Sequence, residues 1–130
     1  MIKVLVVDDS AEVRTALKRI IQRTADIEIG DEATNGLEAL VKVEQEDWNV
    51  VLLDIGLPDL SGFEVLRRIK RQKPEMPVLI VSQYPEESYA AEAVRLGASG
   101  YLAKDMVCGQ LAIAIRMVSA GLLYGNSVTA

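Results

Sequence analysis

The chain has 130 residues, half of them apolar and a quarter charged, with a net charge of −5 and no histidine. Such a composition supports one packed core and excludes a disordered chain, a two-domain enzyme and every mechanism that needs an imidazole. The acidic balance, 19 Asp and Glu against 14 Lys and Arg, speaks against a nucleic-acid surface on this domain, because such surfaces are basic.

Lys3–Val7 is the first strand, an apolar run ended by Asp8-Asp9. It is too short for a membrane span and lacks a signal-peptide cleavage site, so a cytoplasmic chain without membrane attachment is expected. The first helix begins after Ser10 as N-cap. Val13, Leu17, Ile20 and Ile21 share its inner face, and Arg14, Lys18 and Gln22 its solvated one. Ile27–Ala33 alternates polar and apolar residues and forms the second strand. The Asn35-Gly36 turn opens a helix over about Leu37–Glu46, after which Trp48 packs in the core. Val50–Leu53 is the third strand.

Ser61, paired with Glu64 three residues on, predicts a capping box for the third helix, whose series Arg67, Arg68, Lys70, Arg71 and Lys73 reads as a solvated face. Pro77–Val81 is the fourth strand, Glu86–Leu96 the fourth helix closed by Gly97, and Gly100–Ala103 a short fifth strand. The fifth helix runs from about Val107 to Ala120, with Leu111, Ile115 and Val118 inward and Asp105 the nearest capping residue. Cys108, near its start, is the only cysteine. It has no disulfide partner and no adjacent base, which suits a spectator in a reducing compartment.

Strict alternation of strands and helices predicts an α/β fold with a five-stranded parallel sheet covered on both faces. The first, third and fourth strands are uninterrupted apolar runs, as interior parallel strands are, and the alternating second and short fifth belong at the edges. The order is then 2-1-3-4-5, a flavodoxin-like doubly wound (βα)5 sandwich. Its ligand crevice lies where the carboxyl ends of the first and third strands meet.

Asp8 and Asp9, Asp54, Ser82 and Lys104 each follow a strand and so converge on that rim. Singly, each carboxylate reads as an N-cap for the next helix. Together, three carboxylates repel one another and call for a cation, and an all-oxygen set selects Mg²⁺ or Mn²⁺. Asp54, ionised without a general base, is then a nucleophile toward a phosphoryl donor. Lys104 supplies a charge and Ser82 a hydrogen bond for the phosphoryl oxygens.

These residues carry a resemblance over nearly the whole chain. The segments Val6-Val7-Asp8-Asp9-Ser10, Leu53-Asp54-Ile55-Gly56-Leu57-Pro58-Asp59 with Gly62, Val81-Ser82 and Tyr101-Leu102-Ala103-Lys104-Asp105 resemble the receiver domain of bacterial two-component response regulators. The resemblance implies that Asp54 accepts the phosphoryl group and that Asp8 and Asp9 are the acidic metal pair. It makes the Gly56 backbone carbonyl a metal ligand, Ser82 and Tyr101 the switch residues, and Lys104 the phosphoryl-contacting lysine. Rim packing is the competing reading of Tyr101. Gly100–Asp105, Ile113-Ala114-Ile115-Arg116 and Ala120-Gly121 are most similar to the NarL/FixJ/LuxR-like subgroup, in which a helix-turn-helix DNA-binding domain follows the receiver.

The implied organisation is a receiver over residues 1–122 and, at 123–130, the start of a linker to an output domain outside this sequence. A sensor histidine kinase would be the donor, with homodimer formation on phosphorylation and DNA contacted only through the output domain. The chain would catalyse only its own phosphorylation and dephosphorylation. A stand-alone phosphate-relay receiver is an alternative. So is an Mg²⁺-dependent aspartyl-phosphate phosphatase, but Gly56 stands where a haloacid-dehalogenase-like enzyme carries its second aspartate. Two departures from the family pattern bear on phosphoryl lifetime and local backbone. Gln83 and Tyr84 are bulky groups beside the expected phosphoryl position, and Asp105 follows Lys104 where many receivers have proline, leaving that peptide's isomer open.

Overall fold

The Val-, Ile- and Leu-rich runs form five parallel strands in the computed structural model, which describes residues 1–125. These are β1 (Ile2–Val7), β2 (Ile27–Ala33), β3 (Val50–Leu53), β4 (Val78–Ser82) and β5 (Gly100–Ala103). They alternate with α1 (Ala11–Gln22), α2 (Gly36–Gln45), α3 (Gly62–Gln72), α4 (Glu86–Arg95) and α5 (Val107–Ser119). The sheet order is β2-β1-β3-β4-β5, as the strand character predicts. All of β3 and β4 and Val4–Val7 of β1 are buried, whereas in β2 only the end residues Ile27 and Ala33 are.

The two-residue period of the strands divides the core into layers. Leu5, Val7, Val51, Leu53, Val78 and Ile80 share one layer with α2, α3 and α4. Val4, Val6, Val50, Leu52, Leu79 and Val81 share the other with α1 and α5. Each fully buried aliphatic side chain contributes about 1.5–3 kcal/mol relative to exposure, so the two layers fix the strand ends that carry the polar rim. Trp48 is buried as expected, its indole N–H donating to Lys42 O at 3.1 Å. Among the described residues no helix is long and apolar enough to cross a membrane.

Several local expectations are corrected. Ser10 caps α1 through Val13 N–H, but the capping box at Ser61 does not form. Ser61 Oγ accepts from Phe63 N, and the Glu64 carboxylate is held by Arg67 and Arg68. Two guanidiniums on the same helix face outcompete a single backbone amide. A reciprocal arrangement appears instead at α2, where Asn35 Oδ1 accepts from Glu38 N at 2.8 Å and Glu38 Oε1 accepts from Thr34 N at 2.7 Å.

Asp105 does not cap α5. It lies in a 3₁₀ turn, Lys104–Met106, that precedes the helix, and the Lys104–Asp105 peptide is trans. Arg14 and Lys18 are not on a purely solvated face, because both pair with Glu32 of β2 at 2.9 Å. Nor is the α3 series uniformly solvated: Lys70 Nζ donates to Met76 O, and Lys73 pairs with Asp47. Gly97 ends α4 at φ +105, a conformation glycine adopts without strain. Past α5 the chain returns to β5, where Tyr124 N donates to Ser99 O at 2.8 Å and pairs with Gly100. The remainder of the expected linker, 126–130, lies outside the described residues.

Candidate functional site

Val7 pairs with Leu53, so the next residues, Asp8 and Asp54, leave neighbouring strands side by side. Asp54 N donates to Val7 O at 3.0 Å and Asp8 N to Ala33 O at 3.1 Å, which ties both backbones to the sheet. Ser82 pairs with Ala103, placing its hydroxyl and the following Lys104 at the same rim. The five rim residues of the sequence reading are thus brought together.

Their electrostatics are uneven. Lys104 Nζ lies 2.9 Å from Asp8 Oδ2 and 3.3 Å from Asp54 Oδ2. Asp8 is buried, and its other oxygen accepts from Ser10 N at 2.9 Å. Asp9 is exposed. Asp54 is 6% exposed, and its Oδ1 is buried with no hydrogen-bond partner. Burial, and then the charge of Asp8, push the Asp54 carboxyl above the usual carboxylate range, against the opposing pull of Lys104 and the Gly56 backbone. For Lys104, burial works downward. The hydrogen bond to Asp8 and the charges of Asp54 and Asp8 outweigh it, and the ammonium is held above its ordinary value.

One oxygen from each of Asp8, Asp9 and Asp54 lies within 4.8 Å of the others. An orphaned buried carboxylate oxygen beside two further carboxylates is a costly arrangement that a hard divalent cation relieves. The donor set therefore fits such an ion, with oxygen ligands only. Asp8 has both oxygens engaged, which leaves Asp9 and Asp54 as the side chains with oxygens to offer.

Ser82 is fully buried, and its Oγ accepts from Tyr84 N at 3.2 Å. Tyr101 is 1% exposed, so its ring is part of the core and not rim packing. Its hydroxyl donates to Tyr84 O at 2.8 Å. Both residues thereby hold the β4–α4 loop. Gln83 is exposed, and the Tyr84 ring lies over Gly56, where a Cβ would stand 3.6 Å from the ring. Tyr84 is braced by Tyr89, at 5.3 Å between centroids, and Tyr89 by Phe63 at 6.1 Å. Below the β3–α3 loop, Gly62 N donates to Ile55 O at 2.7 Å, and a Cβ on Gly62 would strike the Asp54 backbone oxygen.

Two residues that support the site escape the sequence reading. Arg14 donates from Nη1 to Asp8 O at 2.7 Å while its Nε holds Glu32, so it fixes the loop that bears the acidic pair. Asp59 of the β3–α3 loop accepts from backbone amides of α2. No periodicity marks either one. Arg14 sits at a polar helix position, and Asp59 reads as an ordinary turn residue after Pro58.

Residues 4–116 match the family described as response regulator receiver domain. The chain is 35% identical over 124 residues to the response regulator GacA of Pseudomonas protegens, covering 95% of this chain and 58% of that protein. It is 32% identical over 123 residues to the transcriptional regulatory protein DegU of Brevibacillus brevis, covering 95% and 52%. It thus spans little more than half the length of these relatives. Among solved structures, it is similar to a LuxR-family two-component response regulator from Aurantimonas sp. SI85-9A1, with TM-score 0.90, 27% identity, and coverage of 98% of this chain and 91% of that one. The response regulator domain of Thermotoga maritima CheB gives TM-score 0.85 and 35% identity, covering 92% and 97%.

Proposed function

Because the chain belongs to the response regulator receiver domain family, we propose that it is a phosphorylation-dependent switch that accepts a phosphoryl group on Asp54. The observation that carries this reading is the buried, unpartnered Oδ1 of Asp54 at a rim shared with Lys104, Asp8 and Ser82. An Asp54 oxygen attacks the donor phosphorus, an acyl phosphate forms, and the bond between phosphorus and the donor's leaving group breaks. A carboxylate in its ionised form attacks without a general base, and the Lys104 ammonium beside Asp54 favours that form against the upward push of burial. Lys104 and the Ser82 hydroxyl receive the phosphoryl oxygens. Mg²⁺, or Mn²⁺ in its place, would be held by Asp54, Asp9 and the Gly56 carbonyl, with Asp8 contributing through water. When bound it neutralises charge on the oxygens of the transferring group.

Ser82 and Tyr101 are the switch residues of this reading, since both hold Tyr84 of the β4–α4 loop. Drawing Ser82 toward a phosphoryl group would compete with its bond from Tyr84 N and repack the surface of α4, β5 and α5. The donor is a sensor histidine kinase in the cytoplasm. Residues 1–122 form the receiver, and residues from 123 begin the linker to a helix-turn-helix DNA-binding output domain, with dimer formation on phosphorylation. Regulation of transcription through that output agrees with the names of the relatives.

Incubation with acetyl phosphate and MgCl₂, followed by intact-mass measurement, tests the proposal. One phosphoryl group should be gained, dependent on the metal and absent in Asp54→Asn. Phosphate retained by that variant would move the nucleophile elsewhere.

A further inference from the structure

The β3–α3 loop carries Gly56, and its polar tie to a neighbouring element is made by one carboxylate. Asp59 Oδ1 accepts from Gly36 N at 2.8 Å and from Leu60 N at 2.8 Å, and Oδ2 accepts from Leu37 N at 3.0 Å. Gly36 and Leu37 open α2, where unsatisfied amides favour negative charge. The bonds from Gly36 and then Leu37 hold the Asp59 carboxyl below the usual range, so it is ionised at neutral pH. Asn35 already caps α2 through Glu38 N, and Asp59 takes the two amides that Asn35 does not.

The close approach depends on Gly36. A Cβ there would stand 3.3 Å from Asp59 Oδ1, 3.1 Å from Leu60 Cβ and 2.8 Å from Val65 Cγ2. The base of the loop is fixed separately, by Ile55 O accepting from Leu57 N at 3.1 Å and Gly62 N at 2.7 Å. Leu57 and Leu60 add apolar anchoring against the core. Gly56 is the exposed central residue of the tight turn that Leu57 N closes on Ile55 O, and with no Cβ to restrict it, the orientation of that turn follows the loop that continues from it. The direction of a main-chain carbonyl has no rotamer to set it; here the turn and the loop that carries it do.

We propose that Asp59 is a positioning residue for metal binding, which ties the crest of the β3–α3 loop to the first turn of α2 and so fixes the Gly56 backbone for the cation. This rests on the reading of Gly56, Asp9 and Asp54 as the metal set. Groups that orient a ligand without touching the metal influence affinity in this way.

The test is a titration of the full chain with MgCl₂, followed by backbone amide NMR at Ile55 and Gly56, in wild type, Asp59→Ala and Asp59→Asn. Asp59→Ala should raise the dissociation constant about tenfold. Asp59→Asn, which keeps one acceptor oxygen but not the second or the charge, should fall between. Thermal melts in EDTA accompany the titration. If Asp59 only caps α2, the melting midpoint falls while the dissociation constant stays at the wild-type value, and the proposal is overturned. Should Asp59→Ala fail to fold, an unchanged constant in Asp59→Asn overturns it equally. Wild type without any Mg²⁺ response would overturn the metal reading as well, whereas wild type that binds alongside variants that bind equally removes the Asp59 role alone.

Discussion

Lys104 Nζ stands closer to Asp8 Oδ2, at 2.9 Å, than to Asp54 Oδ2, at 3.3 Å. The cation at the end of β5 is therefore anchored on the carboxylate of β1 and only leans on that of β3. Asp54 keeps one oxygen, Oδ1, buried and without a hydrogen-bond partner, so the charge of this carboxylate is only partly compensated within the site.

Replacing that charge should stabilise the metal-free fold. The Asp54 carboxyl is raised in the folded state, so folding favours the protonated form and ionisation opposes it. The penalty is full above the folded value and disappears below the ordinary carboxylate value. Asp54→Asn should therefore gain about 1 kcal/mol at pH 7 in EDTA, with the gain shrinking as pH falls through the acid range. MgCl₂ should stabilise wild type more than the variant and close the gap. Thermal melts at both pH extremes, with and without metal, measure this, and equal midpoints at pH 7 in EDTA would contradict it.

Removing the lysine should have the opposite sign. Lys104→Met leaves Asp8 and Asp54 facing each other without a cation and should destabilise the metal-free protein by about 3 kcal/mol. The folded-state value of Lys104 is raised, so its contribution is present below the unfolded lysine value and lost only as pH climbs through the folded one. Urea midpoints should separate wild type from variant at neutral pH and converge in the strongly alkaline range. A variant as stable as wild type at pH 7 would show that the ion pair carries no net stabilisation.

Strand order and rim residues were legible in the sequence for a physical reason. A strand buried on both faces must be apolar throughout, as Val50–Leu53 and Val78–Val81 are, and a polar residue at its carboxyl end has nowhere to go but the rim. Side-chain competition was not legible in that way. Glu64 has the spacing of a capping box, yet Arg67 and Arg68 claim it. Asp59 reaches across to an element 22 and 23 positions away in sequence, which no local pattern encodes. The depth of Tyr101 escaped for a related reason. An edge strand looks exposed in sequence, but α4 covers this one, and the ring is buried in the layer it shares with α2–α4.

The Tyr101 hydroxyl should restrain the β4–α4 loop. Tyr101→Phe keeps the buried ring and deletes the 2.8 Å bond to Tyr84 O. A loss of about 1 kcal/mol is expected, concentrated in that loop. Hydrogen exchange should quicken at the Gln83 and Tyr84 amides and stay unchanged in β1 and β3. Uniform acceleration across the sheet would mean that the hydroxyl supports the whole fold and not the loop.

The lifetime of the phosphoryl group should depend on Tyr84. Hydrolysis needs a water in line with the bond to Asp54, and a water arriving past Gly56 would meet Tyr84. Gly56 presents no side chain, and the Tyr84 ring lies over it, held in place by Tyr89 and, through Tyr89, by Phe63. Ring edge and hydroxyl oxygen both stand 3.6 Å from the Cβ position of Gly56, and the bracing contacts are made by the ring, so bulk is the obstruction expected. Tyr84→Ala should then speed autodephosphorylation about fivefold, corresponding to ~1 kcal/mol of barrier, while Tyr84→Phe retains the wild-type rate. The measurement is phosphate release from prephosphorylated protein after donor removal, with Mg²⁺ held constant. Equal or slower release from Tyr84→Ala would place the control of lifetime elsewhere. Fast release from Tyr84→Phe would assign it to the hydroxyl, as a group that orders the water instead of excluding it.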